Sequence, residues 1–255
     1  MIRYYLPKRM RYSSLKERRQ FYRQEFRIDR IEDWFKGIIG KIAFAVIIGR
    51  HTHIYPTKYR EDASTTIIID EYTSLEEVRN LIIEFLPESV YYDRNIYGNG
   101  NKIMSQELAF DLDPENITCP IHGSFYEKMK KGQGLGFCEL ELQMVKEQAV
   151  SLYEYLEKSF SLMRVVYSGR GYHIHVFDDY AYRMTSKKRR QIAKRVKAKG
   201  FPIDEWVTAG DMRLIRLPYS LHGLVSRIVT PLDFGELRSF DPINDVQCVP
   251  KFLKA

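Results

Sequence analysis

Glu107-Leu108-Ala109-Phe110-Asp111-Leu112-Asp113 is the stretch around which the rest of the chain is organised. It alternates with the period of a β-strand. Leu108, Phe110 and Leu112 fall on one face, and Ala109, Asp111 and Asp113 on the other. Two carboxylates on one side of a strand repel each other, and a divalent cation offsets that repulsion economically. Pro114 stops the strand at once, and sites tend to form at strand ends. Spacing alone leaves two readings open: a metal-binding pair, or the solvent face of an edge strand.

The chain has 255 residues, enough for a sizeable core in one large or two small domains. Its 44% hydrophobic and 29% charged residues match a soluble globular protein rather than a disordered or membrane-spanning one. A net charge of +7 suits a polyanionic partner without requiring one. The 18 Tyr and 14 Phe can fill a core or stack on bases. Cys119, Cys138 and Cys248 are odd in number and widely spaced, which points away from a disulfide framework and towards a reducing compartment. Met1-Ile2-Arg3-Tyr4-Tyr5 lacks a signal-peptide apolar region, and the longest apolar run, Ile42 to Ile48, is far too short to span a bilayer. The expectation is a cytoplasmic protein with no membrane partner.

Upstream of the acids, residues 8–35 combine helical apolar spacing (Leu15, Phe21, Tyr22, Phe26, Ile31, Trp34, Phe35) with many bases, and a break is expected near Ile28-Asp29. This surface is either a solvated face or a seat for a nucleic-acid backbone. Strands are expected at Ile42–Ile48, Thr65–Ile69 and Ser89–Tyr92, and a helix capped by Ser74 with Glu77 is expected before Pro87. Tyr97 to Asn101 reads as a loop. Downstream, 114–137 reads as irregular, Glu139–Phe160 as a long helix, and Arg164–Tyr167 and Tyr172–Val176 as strands. Thr185–Lys199 reads as a basic helix, Pro202–Val207 as extended, and Arg213–Leu217 as a strand. One or two short strands follow. Strands and helices mix throughout and no boundary is visible. The expectation is therefore an α+β fold with mixed sheets flanked by helices, as a single domain over 1–255 with a small insertion at 114–141.

Two further clusters carry chemistry. In Ser168-Gly169-Arg170-Gly171-Tyr172-His173-Ile174-His175, the glycines let a backbone approach a phosphate, and Arg170 and His173 can donate to it. The bland alternative is a hairpin turn with surface histidines. In the third cluster Arg213, Arg216 and His222 fall within ten residues, a density of donors that suits a triphosphate. Asp204 is a candidate third carboxylate, with Asp178, Asp179 and Asp211 as rivals by proximity.

Taken in order, "ELAFDLD", "YSGRGYHIHV" and "VTAGDMRLIRLPYSLHG" resemble the motifs of the archaeo-eukaryotic primases, and most closely the small catalytic subunit of archaeal DNA primase. "LKERRQFYRQEF", "ESVYYDRNIY" and "SFDPINDV" extend the resemblance to nearly the whole chain. The resemblance implies a primase-type catalytic fold and template-directed synthesis of short primers on single-stranded DNA from nucleoside triphosphates. It implies that Asp111, Asp113 and Asp204 hold Mg²⁺ or Mn²⁺. It also implies that Ser168, Arg170, His173, Arg213, Arg216 and His222 bind the nucleotide, and that the partner is a large subunit with an iron–sulfur cluster.

The match has three departures. The second motif is one residue shorter than usual. Leu224 and Val225 stand where Lys and Ser or Thr usually follow Leu-His-Gly, with Arg227 the nearest replacement. The family's zinc knuckle is represented by Cys119, His122 and Cys138, with Glu141 where a fourth ligand would fall; the alternative is a loop with buried thiols. Two other functions remain open: a related primase-polymerase or end-joining repair polymerase, and an inactive nucleotide- or nucleic-acid-binding homologue. The bases from Lys187 to Lys199 suit a template strand, solvent, or an acidic partner surface.

Overall fold

The computed structural model describes residues 4–38 and 40–254. Its first helices are α1 (Leu15–Gln24) and α2 (Ile28–Trp34), so the expected break falls at residues 25–27. Then come β1 (Phe44–Ile47), β2 (Ile67–Ile69), α3 (Leu75–Phe85), β3 (Ser89–Asp93), β4 (Asn95–Tyr97) and β5 (Ile103–Gln106). The key stretch forms β6 (Leu108–Leu112), followed by α4 (Phe125–Lys130) and α5 (Glu139–Leu156). A hairpin of β7 (Met163–Tyr167) and β8 (Tyr172–Val176) leads to α6 (Asp179–Tyr182), α7 (Ser186–Ala198) and α8 (Glu205–Ala209). The chain closes with β9 (Leu214–Arg216), β10 (Leu221–His222), β11 (Arg227–Ile228), β12 (Thr230–Leu232) and α9 (Phe234–Leu237). Among the described residues no helix is long and apolar enough to cross a membrane. Strands paired antiparallel among helices make this the expected α+β fold with its sheets flanked by helices.

Two local expectations are corrected and a third gains its context. Residues 202–207 are not extended throughout: α8 begins at Glu205, because Asp204 accepts hydrogen bonds from the N–H of Trp206 (2.8 Å) and Val207 (3.4 Å) and so caps a helix. The 114–137 segment is not wholly irregular: Ser124 and Glu127 form a reciprocal capping box that starts α4. The 97–101 loop is the turn between β4 and β5, which pair with each other.

Contacts divide the chain into two compact units, one of residues 1–9, 105–213 and 231–243, the other of residues 10–104, 214–230 and 244–255. Both are discontinuous in sequence, which is why no composition shift marks a boundary.

The first unit is built on a four-stranded sheet of order β12-β7-β8-β6. β8 pairs antiparallel with both neighbours, setting Phe110 opposite Ile174 and Ile174 opposite Val165. These three side chains are fully or almost fully buried. Helix α5 packs on β6 and β8. It buries Leu142, Val145, Ala149, Leu152 and Leu156, a stripe at helical spacing. Helix α7 buries Arg189, Ile192, Ala193 and Val196 on one face and packs on α8. Each sheet edge is partly blocked. β12 carries Pro231, which has no N–H to offer. On β6, the carbonyl of Asp111 accepts from the Asp204 N–H at 2.9 Å, and that of Glu107 from Arg189 Nη1 at 3.1 Å.

The second unit is a sheet of order β2-β1-β3-β9, antiparallel throughout, with the β10–β11 ribbon and helices α1 to α3. Here one base of the basic N-terminal helix turns inward. Arg18 is fully buried and donates to the carbonyls of Ile48 and Ile54 (each 2.9 Å) and Leu86 (3.2 Å), and to the hydroxyls of Thr52 and Ser13. Burial draws its pKa down to about 10, against the pull of the Glu88 carboxylate. Glu88 in turn accepts from the N–H of Thr52 at 2.9 Å. The α1 base that faces the core is thus a bolt for the 48–54 turn, while Lys16, Arg19 and Arg23 remain exposed.

Candidate active site and metal cluster

Register decides what the end of β6 presents. In the β6–β8 pairing Asp111 stands opposite His173 and Ala109 opposite His175. Cross-strand partners face the same way, so the carboxylate and the imidazole meet, with His173 Nε2 3.4 Å from Asp111 Oδ1. His173 is 4% exposed at its side chain and Asp111 is 19% exposed, so the pair sits at the rim of the core. One step further in, His175 Nδ1 lies 2.5 Å from Glu107 Oε1, and both side chains are buried. The β6 face expected to be polar is therefore covered: Ala109 is fully buried, and the solvent-face reading of the strand does not hold.

The hairpin turn Ser168–Gly171 packs against this strand end. The Ser168 N–H donates to the Gly171 carbonyl at 2.9 Å, and the Gly171 N–H to Ser168 Oγ at 3.1 Å. Ser168 thus closes the turn. Gly169 takes a left-handed φ of 101°. Gly171 has a different reason to be glycine: a Cβ there would lie 2.1 Å from the Leu112 carbonyl oxygen and 2.5 Å from Asp113 Oδ1. The turn can press on the carboxylate strand only because that side chain is missing.

Arg170 extends from the same turn into the insertion. Its Nη2 pairs with Glu115 Oε1 at 2.6 Å and donates to the Leu135 carbonyl at 3.0 Å, and its guanidinium lies over the Phe137 ring. At 6% exposure it is a buried link between turn and insertion. Asp204 is carried to β6 by the bond from its N–H to the Asp111 carbonyl, while its side chain caps α8.

Two of the three rival acids have other work. Asp178 accepts from the N–H of Ser161 and Leu162, and Asp211 pairs with Arg190. Arg213 is exposed at the end of the first unit. Arg216 and His222 belong to the second unit, where Arg216 donates to Ser89 Oγ at 2.8 Å and His222 pairs with Arg227 across the β10–β11 ribbon. Arg227 is fully buried and donates to the Ser226 carbonyl at 3.0 Å, so it does not replace an exposed basic contact after Leu-His-Gly.

The insertion gathers the other donor set. Cys119, His122, Cys138 and Glu141 each bring one ligand atom into a group whose members all lie within 4.8 Å of one another. Cys119 Sγ is 3.4 Å from His122 Nδ1 and 4.0 Å from Cys138 Sγ, and His122 Nδ1 is 3.8 Å from Glu141 Oε2. Zinc bonds of about 2.0–2.3 Å in a tetrahedron set ligand atoms roughly 3.3–3.8 Å apart, so this group could hold zinc after small shifts. The sequence pattern Cys138-x-x-Glu141 pointed to the fourth member.

What the sequence missed is the setting of that glutamate. Glu141 is fully buried, and its other oxygen, Oε1, is held by the buried Lys128 at 2.6 Å. Tyr5 stacks on His122 with ring centroids 4.5 Å apart, and donates to Glu141 Oε2 at 3.4 Å. Burial, with the Glu141 charge adding to it, pushes the Cys138 thiol up to about 11 and raises the Tyr5 phenol well above its ordinary range. Among the described residues this is the only group of three or more such ligands drawn so close together. Asp111 and Asp113 at the end of β6 and Asp204 at the cap of α8 are all-oxygen donors. That donor chemistry suits Mg²⁺ or Mn²⁺, ions that complete their coordination with water and substrate phosphate.

No family model matches the chain. Among solved structures, the polymerase domain from Mycobacterium tuberculosis Ligase D in complex with DNA is a distant likeness, with 18% identity and a TM-score of 0.49 over 75% of this chain and 67% of that one. DNA primase small subunits of Pyrobaculum arsenaticum and Pyrococcus abyssi are 26% and 28% identical over 65% and 74% of this chain. The chain spans only 66% and 50% of their respective lengths. A DNA primase small subunit-like protein from Archaeoglobus fulgidus, itself uncharacterized, is 49% identical over 269 residues, 99% of this chain and 95% of its own. With that identity running through almost the whole of both sequences, the chain belongs to the DNA primase small subunit-like family.

Proposed function

We propose that the chain is a template-directed nucleotidyltransferase that synthesises short primers on single-stranded DNA from nucleoside triphosphates. The observation that carries this reading is the β6–β8 register, which sets Asp111 against His173 while Asp204 bonds to the carbonyl of Asp111. Asp111, Asp113 and Asp204 would hold two divalent cations, which supply Lewis-acid stabilisation of charge on the transferring phosphoryl group and its leaving pyrophosphate. His173, fixed by its strand partner, donates a hydrogen bond to a phosphate oxygen of the incoming nucleotide. Ser168 and Gly171 hold the turn against the strand end, so that His173 and the carboxylates keep their spacing. Arg170 reaches the nucleotide only by exchanging Glu115 for phosphate; otherwise it acts by fixing the turn. Arg213, Arg216 and His222 are assigned to the triphosphate on the sequence resemblance.

Cys119, His122, Cys138 and Glu141 would hold a structural zinc within the 114–141 insertion, in a single catalytic domain. A large subunit with an iron–sulfur cluster is the proposed partner for initiation. The test is incorporation of labelled nucleotides on single-stranded DNA with Mg²⁺ or Mn²⁺, comparing the wild type with Asp111→Ala/Asp113→Ala. Metal-dependent products that disappear in the variant support the reaction. No product with either metal, even with a family large subunit added, overturns it in favour of an inactive nucleic-acid-binding homologue.

A further inference from the structure

The α7–α8 side of the first unit carries features that the proposed reaction does not use. From Tyr180 to Ile203 the sequence holds no acid at all. On α7, Lys187, Lys188, Arg190, Lys194, Arg195 and Lys197 are all exposed, while Arg189 alone turns inward, to the carbonyls of Glu107 and Ala181. A cleft of about 490 Å³ opens beside this helix. Arg190, Lys194, Lys197, Asp204 and Trp206 are among the residues that line it. Trp206 is 68% exposed, whereas the chain's other tryptophan, Trp34, is 3% exposed.

A large indole left in water beside a row of cations has a specific use. Single strands bind where a basic track follows the phosphates and an aromatic ring takes a base, since every base has a π-face. Three acids line the cleft with these bases: Asp204 accepts from the helix N–H groups, Asp211 is engaged by Arg190, and Glu205 is outnumbered by the exposed bases of α7. Lys197 gives one of its three protons to the Ile203 carbonyl and keeps two for a ligand. We infer that this cleft is a single-strand binding track, with a base stacked on Trp206 and the flanking phosphates on Lys194, Lys197 and the exposed bases of α7. Because Asp204 lines the same cleft, the bound strand lies beside the candidate carboxylate centre. The inference rests on the proposed reaction for the strand's role as substrate, and on the cleft alone for its binding.

The two tryptophans make the test direct. Short oligothymidylate is titrated into the full chain while its intrinsic fluorescence is followed; a stacked base quenches exposed Trp206 and leaves buried Trp34 unchanged. The expected result is a salt-sensitive quench that Trp206→Ala abolishes, with binding about tenfold weaker. Trp206→Phe keeps most of the affinity, and Lys194→Glu/Lys197→Glu flattens the salt dependence, with circular dichroism confirming the fold of each variant. Binding that is unaltered in Trp206→Ala overturns the inference. Equal quenching by polyglutamate overturns it in favour of an acidic protein partner. Failure of primer synthesis with the Trp206 quench intact counts against the reaction and not the track. Synthesis without any quench counts against the track and not the reaction.

Discussion

The two donor clusters of the first unit are built on opposite principles. In the insertion, Cys119, His122, Cys138 and Glu141 already stand within a bond or two of a common centre, and the charge of Glu141 is met by Lys128. At the end of β6, the aspartates are positioned by backbone: strand register for Asp111, and an N–H to carbonyl bond with a helix cap for Asp204. A cluster that serves stability gathers its ligands and neutralises them locally. The proposed chemical cluster instead holds its carboxylates on rigid elements, where a bound cation would meet them.

Removing Lys128 strikes the first cluster hardest. Lys128→Met leaves the Glu141 carboxylate buried without its cation, and a loss of about 3–5 kcal/mol is expected in urea unfolding. If the group holds zinc, the loss is smaller for metal-loaded protein than for chelator-treated protein, because the metal takes up the same charge. An equal loss with and without zinc would break the contrast by making the group a plain ion pair.

Gly171→Ala drives a methyl against the Leu112 carbonyl, where no flexible side chain can yield. A cost of about 3 kcal/mol is expected, with impaired nucleotide incorporation, since the β6 end must shift. A neutral substitution would show that the turn does not set the position of Asp113.

The aspartates should behave in the opposite way to Glu141. Asp111→Asn/Asp113→Asn removes like-charge repulsion, so the unfolding midpoint in chelator should stay within about 1 kcal/mol of wild type or rise. Mg²⁺ should raise the midpoint of the wild type and not of the variant. Marked destabilisation would make these acids structural after all.

A half-exposed pair gives the smallest effect. Hydrogen bonding to Arg11 holds the Glu17 carboxyl down at about 2, from an ordinary 4.5. Its contribution is therefore present above about pH 4.5 and fades as pH falls towards 2. Because Arg11 is half exposed, the pair is worth about 0.5–1 kcal/mol, the loss expected for Glu17→Gln at neutral pH.

How far these sites were legible depended on whether a residue's partner lay on its own element. The alternation in Glu107–Asp113 and Tyr172–Val176 revealed both strands, and the pairing of Asp111 with His173 then follows from register. Helix α8 escaped because its five residues are too short to show a period, yet Asp204 as cap and Gly210 at a left-handed φ of 90° were its start and stop signals. Ser124-x-x-Glu127 was a similar signal for α4. No pattern distinguishes Arg18 or Arg189 from their exposed neighbours, since what makes them core residues is a set of carbonyls far away in sequence. The same holds for Lys128, whose partner Glu141 stood in the sequence only as a candidate fourth metal ligand.

The partly blocked edges of the first unit's sheet limit how this unit can meet other proteins. Strand addition needs a free row of N–H and carbonyl groups. Pro231 removes a donor on one side, while Arg189 and the Asp204 N–H occupy acceptors on the other. Recruitment by lengthening this sheet is therefore disfavoured; a partner that reads side chains, through helices and the insertion, can be tuned by substitution of surface residues without disturbing the strand that holds Asp111.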